Sequence, residues 1–509
     1  MTIGAMSTRG IYWVVGVISL VLSLVICAQQ AVVNPDAICY LLSANEVGAA
    51  GLSAAMHLCG QAAWPFYSVM VYAFSKVSFL SVTTSAYILD AVLTSITVLS
   101  FVKIVEALGG TRRVMWLAAF AILSAHQFNS VRQYIVRDHG FWAFYLLSVV
   151  FLLSFLNKQS LKTALGFGVS LAFASLFRIE GAVFLALLPM LALAGNGSLR
   201  VRATRWLMLN SVGIAAVLVV SAWVLMHPQQ SLDKLGRLPE LLNQFFGGFA
   251  VISERFVTAK TALIQHLLPY EAARDAGMVW AAVMIALYFA NIINNLSWVA
   301  TLLVCYAWLS GVTSQFTRHA KFTLFGYLAI NLTVMAIFFA ERMFFSKRYL
   351  IALTLILLLW VPFALDKLLR SPHARQRVIA YLAMIALFAS SLGVVTNSGA
   401  SKNYLRDAGE WLAANVSAND GFYANDIQLA YYSKLYGNDI FAVMRKNDDI
   451  NVVQAAKWQP YTYAALRLTK NKPNHFAGVI KHNRARIVKQ FQNQSGDQVI
   501  IYKIPRQVG

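Results

Sequence analysis

Residues 11–27 read IYWVVGVISLVLSLVIC, and residues 34–40 read NPDAICY. The first stretch carries no charge over 17 residues, enough with its flanks to cross a hydrocarbon core about 30 Å thick. No small-x-small cleavage site follows it, so it reads as a retained span and not as a leader. The second stretch then sets Pro35 and the carboxylate of Asp36 just beyond the membrane boundary. An apolar crossing followed at once by a fixed chain exit and an acid is the pattern against which the rest of the chain is read.

The chain has 509 residues, 59% of them hydrophobic and 12% charged, with a mean hydropathy of +0.60. A soluble domain cannot bury that much apolar sequence, so the composition predicts a polytopic α-helical membrane protein. The formal net charge of +21 must be read by side, as the cationic signal that fixes orientation. No RNA-binding motif or basic, aromatic-rich soluble stretch accompanies it, so nucleic acid is not an expected partner.

With the amino terminus inside, about eleven transmembrane helices follow, near 11–28, 84–106, 114–128, 140–156, then two flanking Arg178–Gly181, then 206–226, one within 278–311, 322–340, 349–365 and 378–395. The inside loops hold Arg112 and Arg113; Lys158 and Lys162; Arg200, Arg202 and Arg205; Arg318, His319 and Lys321; and Lys367, Arg370, Arg375 and Arg377. Almost no acid joins them, and this agreement across every inside loop is stronger than any single boundary. Stretch 278–311 exceeds the roughly 20 residues a span needs, so part of it is expected to lie along the surface.

Three outward segments are large. Residues 29–83 and 227–277 read as interfacial, amphipathic helices lying on the membrane. Residues 396–509 read as a soluble α/β domain: helix near 404–414, strand 421–425, helix 427–435, and β-rich sequence near 486–491 and 498–504. The expected domains are thus 1–395, membrane-embedded and catalytic, and 396–509, extracytoplasmic. Cys27 and Cys305 fall in spans and are read as packing residues. Cys39 and Cys59 share the first outward loop, either as a disulfide or as two unpaired small residues.

The outward ends carry charges that are costly at a bilayer boundary: Arg132, Arg137, Asp138, Arg178, Glu180, Glu341, Arg342, Lys347 and Arg348. Each has a plain reading and a functional one. Asp36 caps the following helix, or it is a general base held rigidly one turn from a span. Asp138 caps the next span with Arg137 as its ion partner, or it is a second acid orienting the acceptor. Asp138 and the adjacent His139 are also the candidate ligands for a divalent metal, without further spaced donors. Arg178 and Glu180 pair with each other across a turn, or they serve the site. Arg342, Lys347 and Arg348 anchor lipid head groups, or they dock a lipid-linked phosphate through bidentate hydrogen bonds and stabilise it as a leaving group. Glu46, His57 and His266 are isolated, and Asp448-Asp449 reads as a solvated turn. No glycine-rich phosphate loop, nucleophile elbow or paired-cysteine metal motif occurs.

Taken in order, these pieces resemble the GT-C superfamily of polyprenyl-phosphate-dependent glycosyltransferases, most of all the branch of protein O-mannosyltransferases and lipid A aminoarabinose transferases. The resemblance covers most of the chain. It rests on Asp36 and Tyr40 after the first span, Trp64-Pro65-Phe66-Tyr67, Leu108-Gly109-Gly110, Asp138, Arg178-Ile179-Glu180-Gly181 and Arg348-Tyr349-Leu350. In the tail it rests on Ala408-Gly409-Glu410-Trp411-Leu412 and Ala430-Tyr431-Tyr432. It implies an inverting transfer from a polyprenyl-phosphate sugar to an extracytoplasmic glycolipid, polysaccharide or protein. Asp36 would act as base, with Asp138 as a second catalytic acid. Lys347 and Arg348 would hold the carrier phosphate together with Arg342, Arg178 and Arg137, and Tyr40, Glu180 and Tyr349 would position donor or acceptor. The branch and the compact loops favour a bacterial inner membrane, with the tail in the periplasm. One departure stands out: Ala37 follows Asp36 where the family often has a second acid.

Two rivals share some of these features. A lipid or glycan transporter explains the spans, but not charges gathered at one face or the soluble tail; no broken-helix pair or repeat is visible. A noncatalytic envelope-assembly protein would tolerate loss of Asp36.

Overall fold

The computed structural model describes residues 6–194, 197–226, 238–396, 401–417, 420–447, 461–470 and 476–505. Along the chain, α1 (Thr8–Ala28) carries the apolar run quoted above. The first outward loop folds into α2 (Pro35–Ala49), α3 (Leu52–His57) and α4 (Phe66–Ser78). Next come α5 (Val82–Ala107), α6 (Arg112–Leu123), α7 (His126–Ser130), α8 (Asp138–Lys158), α9 (Leu161–Phe177), α10 (Glu180–Leu187), α11 (Leu199–Met226) and α12 (Leu238–His266). The membrane part ends with α13 (Ala276–Leu296), α14 (Trp298–Leu309), α15 (Arg318–Arg342), α16 (Ile351–Leu358), α17 (Val361–Leu369) and α18 (Ala374–Val395). The tail contributes α19 (Asn403–Asn415), β1 (Phe422–Ala424), α20 (Ile427–Ser433), α21 (Ile440–Asn447), β2 (Tyr463–Leu468), α22 (Ala477–His482), β3 (Arg486–Gln492) and β4 (Gln498–Lys503).

Among the described residues, eight helices are long and apolar enough to cross a membrane, and the pair Arg112–Leu123 and His126–Gln133, bent by 53°, passes the same test only when taken together, as a broken span or a re-entrant loop. The chain is an integral membrane protein. The remaining two of the expected eleven are shorter apolar helices, Leu161–Phe177 and Gly181–Ala192. Stretch 278–311 divides at Ser297, whose φ of 78° breaks the helix. A span-length helix ends there, and the 12-residue α14 follows. The membrane-facing surfaces are apolar: only 6% of the apolar window of α11 is buried against protein, so its Val217, Leu218, Val219 and Leu225 are left for lipid. Cys305 is exposed on α14 and Cys27 half-buried, so of the two only Cys27 packs against protein.

The chain divides into two compact units. The first comprises residues 1–25, 88–132 and 137–396. Its centre is α16, whose eight residues are all buried, packed on α6, α8, α13 and α15. The helix enters through a 3-10 turn, Lys347–Leu350, so the basic cluster stands at the mouth of the best-buried helix of the unit. Arg132 is 2% exposed and joins α1 to the turn after α7: its guanidinium donates to Ser19 O (2.9 Å), Ser23 Oγ (2.5 Å) and Asn129 Oδ1 (2.7 Å). Those bonds meet the demand that a charge at membrane depth be paired.

The second unit comprises residues 26–87, 133–136 and 397–509, so by contacts the segment after α1 clusters with the tail. The tail sheet has order β1-β2-β4-β3, with β1/β2 parallel and the other pairs antiparallel. Tyr423, Leu466, Ile500 and Tyr502 form its core. The expected helices and the strands β1, β3 and β4 are present. Strand β2, central in the sheet, lies where the sequence reading names no element, because its Tyr-Ala-Ala-Leu-Arg-Leu run has too few β-branched residues to announce a strand. Asp448-Asp449 lies outside the described residues.

Candidate active site

In the first unit, close packing of α8 on α9 sets the geometry. A Cβ on Gly140 would lie 2.2 Å from the ring of Phe177, the residue before Arg178. A Cβ on Gly181 would lie 2.5 Å from the backbone nitrogen of Ser175. Glycine at both places lets the first turn of α8 and the turn into α10 close on the end of α9. Asp138 and Glu180 thereby reach one guanidinium. Arg178 donates through Nη1 to Asp138 Oδ1, through Nη2 to Glu180 Oε1 and through Nε to Glu180 Oε2 (3.3 Å). The side chains of Arg178 and Asp138 are 9% and 4% exposed, so this is a desolvated ion triad.

More positive charge surrounds it than the acids neutralise. The Tyr349 ring is in cation–π range of two guanidiniums, Arg178 at 4.8 Å and Arg348 at 5.5 Å. Arg137 adds a third cation that acts on both carboxylates, and its Nη1 is buried without a hydrogen-bond partner. Three guanidiniums against two carboxylates leave a formal excess of one positive charge. A cleft opens here between α8, α10, α15 and the start of α16, lined by Asp138, Arg178, Glu180, Arg348, Tyr349 and Asn331. Its floor is rigid. Asn331 donates to Tyr145 Oη and to Tyr327 O (2.7 Å), and Tyr327 Oη pairs with Ser148 Oγ (2.6 Å).

Of the other basic residues, Lys347 is exposed, and its carbonyl accepts from Asn295 Nδ2 (2.5 Å). Asn295 Oδ1 in turn accepts from Thr354 Oγ1 (3.0 Å), which clamps the basic turn through its main chain. Arg342 is half-exposed and pairs with Glu341 at 3.5 Å. His139 is fully buried and pairs with Thr94 Oγ1 at 2.9 Å. No group of three His, Cys, Asp or Glu side chains with metal-binding spacing occurs among the described residues. Asp138, committed to Arg178 and ringed by guanidiniums, together with a His held by a threonine, does not fit a divalent cation.

The second unit holds Asp36, in the first turn of α2. Asn34 occupies the N-cap position, but its side chain turns to the backbone of Ile135, accepting from N (2.9 Å) and donating to O (3.3 Å). Asp36 Oδ1 accepts from Gln61 Nε2 at 3.4 Å. A disulfide between Cys39 and Cys59, with Cα atoms 6.1 Å apart, ties the helix bearing Asp36 to the segment bearing Gln61. Tyr40 is buried, edge-on to Tyr67 at 5.1 Å, so these two aromatics form the core of the loop. The tail holds the strap before Asp36: Tyr432 Oη accepts from Val33 N (2.9 Å), and Gln428 Nε2 donates to Val33 O (2.6 Å). Glu46 accepts from Asn438 Nδ2 (2.6 Å), and His57 pairs with Ser53 O (2.7 Å). Asn34, Gln61, Gln428 and Tyr432 escape a sequence reading because neutral side chains carry no charge signal. The Tyr431-Tyr432 pair was the one pointer to them.

No family model matches the sequence, and no curated protein matches it. Solved structures do. Archaeal oligosaccharyltransferase AglB from Archaeoglobus fulgidus, in complex with an inhibitory peptide and a dolichol-phosphate, is similar with a TM-score of 0.50 at 10% identity, over 90% of this chain and 69% of that one. ArnT from Cupriavidus metallidurans, bound to undecaprenyl phosphate, is similar with a TM-score of 0.52 at 13% identity, over 97% of this chain and 98% of that one. At such identities the likeness shows the fold alone: this chain shares the fold of those two proteins.

Proposed function

We propose that this protein is an inverting glycosyltransferase that moves a sugar from a polyprenyl-phosphate donor to an extracytoplasmic acceptor. The observation that carries the reading is the cleft lined by Arg178, Arg348, Asp138 and Glu180, with Arg137 acting on the same two carboxylates, so that three guanidiniums stand against two acids. Departure of polyprenyl phosphate turns a monoanionic phosphodiester into a dianionic monoester. One unit of negative charge develops in the transition state, and a fixed positive excess in a low-dielectric cleft favours it. The two solved relatives in fold were each captured with a polyprenyl-type phosphate, which supports the same ligand class here.

The roles follow. Asp36 takes the proton from the acceptor hydroxyl or amine as its oxygen or nitrogen attacks the anomeric carbon. The bond from that carbon to the phosphate oxygen breaks, and the carrier leaves with both electrons. Arg348, Arg137 and Arg178 hold its phosphate, with Lys347 and Arg342 at the exposed rim. Asp138 and Glu180 fix the Arg178 fork, so its donors point one way before the donor arrives. Tyr349 offers its ring face to both guanidiniums. Gln61 orients the Asp36 carboxylate. The orientation proposed from the basic loops puts the amino terminus in the cytoplasm and the tail in the periplasm.

The test is lipid and glycan mass spectrometry on cells carrying wild type or Asp36→Asn at equal expression. The proposal expects a polyprenyl-phosphate sugar to accumulate and one envelope glycan or glycolipid to lose a residue. The mass lost then identifies the sugar. Unchanged profiles would return the protein to transport or assembly.

A further inference from the structure

A second cleft in the first unit lies at the far end of the same helices. It is lined by Phe155, Leu191, Arg205, Arg318, His319 and Phe322. Helix α8 carries Asp138 at one end and the Leu156 wall of this cleft at the other. Eighteen residues at 1.5 Å per residue separate them by about 27 Å, close to the thickness of a hydrocarbon core. The two clefts therefore belong to opposite membrane faces.

Cations placed only to fix orientation sit on loops in water. Here Arg205 is half-buried within α11, and Arg318 lies over the ring of Phe322 at 5.4 Å. No Asp or Glu lines the cleft. The 25-residue helix α15 begins at Arg318, so the positive end of its dipole adds to the two guanidiniums. Beside this charge stand apolar walls from Phe155, Leu191 and Phe322. A basic, apolar-walled recess between membrane helices matches a lipid whose head group is a phosphate.

We infer that this cleft binds the phosphate head group of an anionic glycerophospholipid, in the leaflet opposite the transfer site. The inference stands apart from the proposed transfer reaction, since none of its residues serve that cleft. The bound lipid would bridge α11 and α15 through Arg205 and Arg318.

The probe is phosphatidylglycerol, titrated into the purified full-length protein in zwitterionic detergent and read by native mass spectrometry. The expected result is one tightly retained molecule, with affinity about 30-fold lower in Arg205→Gln/Arg318→Gln. The control Arg112→Gln/Arg375→Gln removes the same charge from exposed helix starts and should stay within about threefold of wild type. Arg318→Gln alone, at an exposed position, should weaken binding about fivefold, which keeps the test open if the double variant fails to fold. Unchanged binding in either cleft variant overturns the inference, as does an equal loss in the control. Displacement by millimolar inorganic phosphate as readily as by phosphatidylglycerol would assign the cleft to a soluble phosphate ester and overturn the lipid.

Discussion

Replacement of Arg178 by glutamine tests the charge cluster most directly. The side chain is 9% exposed and serves Asp138 and Glu180, which are 4% and 26% exposed. At 4 Å and an effective dielectric of about 20, each pair is worth roughly 4 kcal/mol in Coulomb energy before desolvation. Removing the cation strands the buried Asp138 carboxylate and the partly exposed Glu180, with Arg137 and Arg348 as partial compensation, so the expected loss is about 3–5 kcal/mol of stability. Adding Asp138→Asn to the same chain removes one stranded carboxylate and should return about half of that loss. Arg178→Lys keeps the charge but not the fork, and should fall between wild type and glutamine. The assay is denaturant unfolding of the purified protein in detergent, followed by tryptophan fluorescence, for both single variants and the double. A loss under about 1 kcal/mol for Arg178→Gln would place the triad among solvated surface pairs. Strict additivity of the two substitutions would show that they do not interact, and either result refutes the desolvated triad.

Five further outcomes are expected. Asp36→Asn should lower turnover by about 10²–10⁴ while leaving affinity for polyprenyl phosphate within a few-fold, measured on purified enzyme; wild-type turnover would move the base elsewhere. Gln61→Ala should lower kcat about tenfold with KM for the donor nearly constant, because Gln61 holds the Asp36 carboxylate and not the carrier. Cys39→Ser/Cys59→Ser should show the same split more weakly; a change confined to KM would contradict this role. Gly181→Ala must displace the Ser175 backbone, so it should cost about 1–3 kcal/mol in unfolding and weaken carrier binding; a neutral result would mean the turn into α10 relaxes freely. Tyr432→Phe leaves the Val33 amide without its acceptor and should destabilise the protein by about 1 kcal/mol, with a fall in kcat and none in carrier affinity.

The chain order of apolar stretches and the Lys and Arg between them were legible without coordinates. Crossing a bilayer demands a local, contiguous property that no distant residue can supply or cancel. For the same reason the outward charges could be picked out as candidates. Two apolar stretches, Leu161–Phe177 and Gly181–Ala192, read alike in sequence but fold as helices below span length, because hydropathy does not report where a chain turns back. The grouping of the candidates was not legible. Arg178 and Glu180 read as one pair, yet the guanidinium also takes Asp138, 40 residues earlier, through a close approach that only Gly140 and Gly181 permit. Arg132 looks in sequence like its neighbour Arg137, but it is an anchor bonded to the backbone and serines of α1, while Arg137 acts on the carboxylates. Neutral partners such as Gln61 and Tyr432 gain meaning only when distant segments meet. The sequence by itself determined that this is a polytopic membrane protein with acids and arginines at the ends of its apolar stretches, since transfer free energy is summed residue by residue. Which arginines share a cleft, and which only hold helices together, was decided by the tertiary structure, because hydrogen bonds and ion pairs act over a few ångströms and depend on packing between segments far apart in the chain.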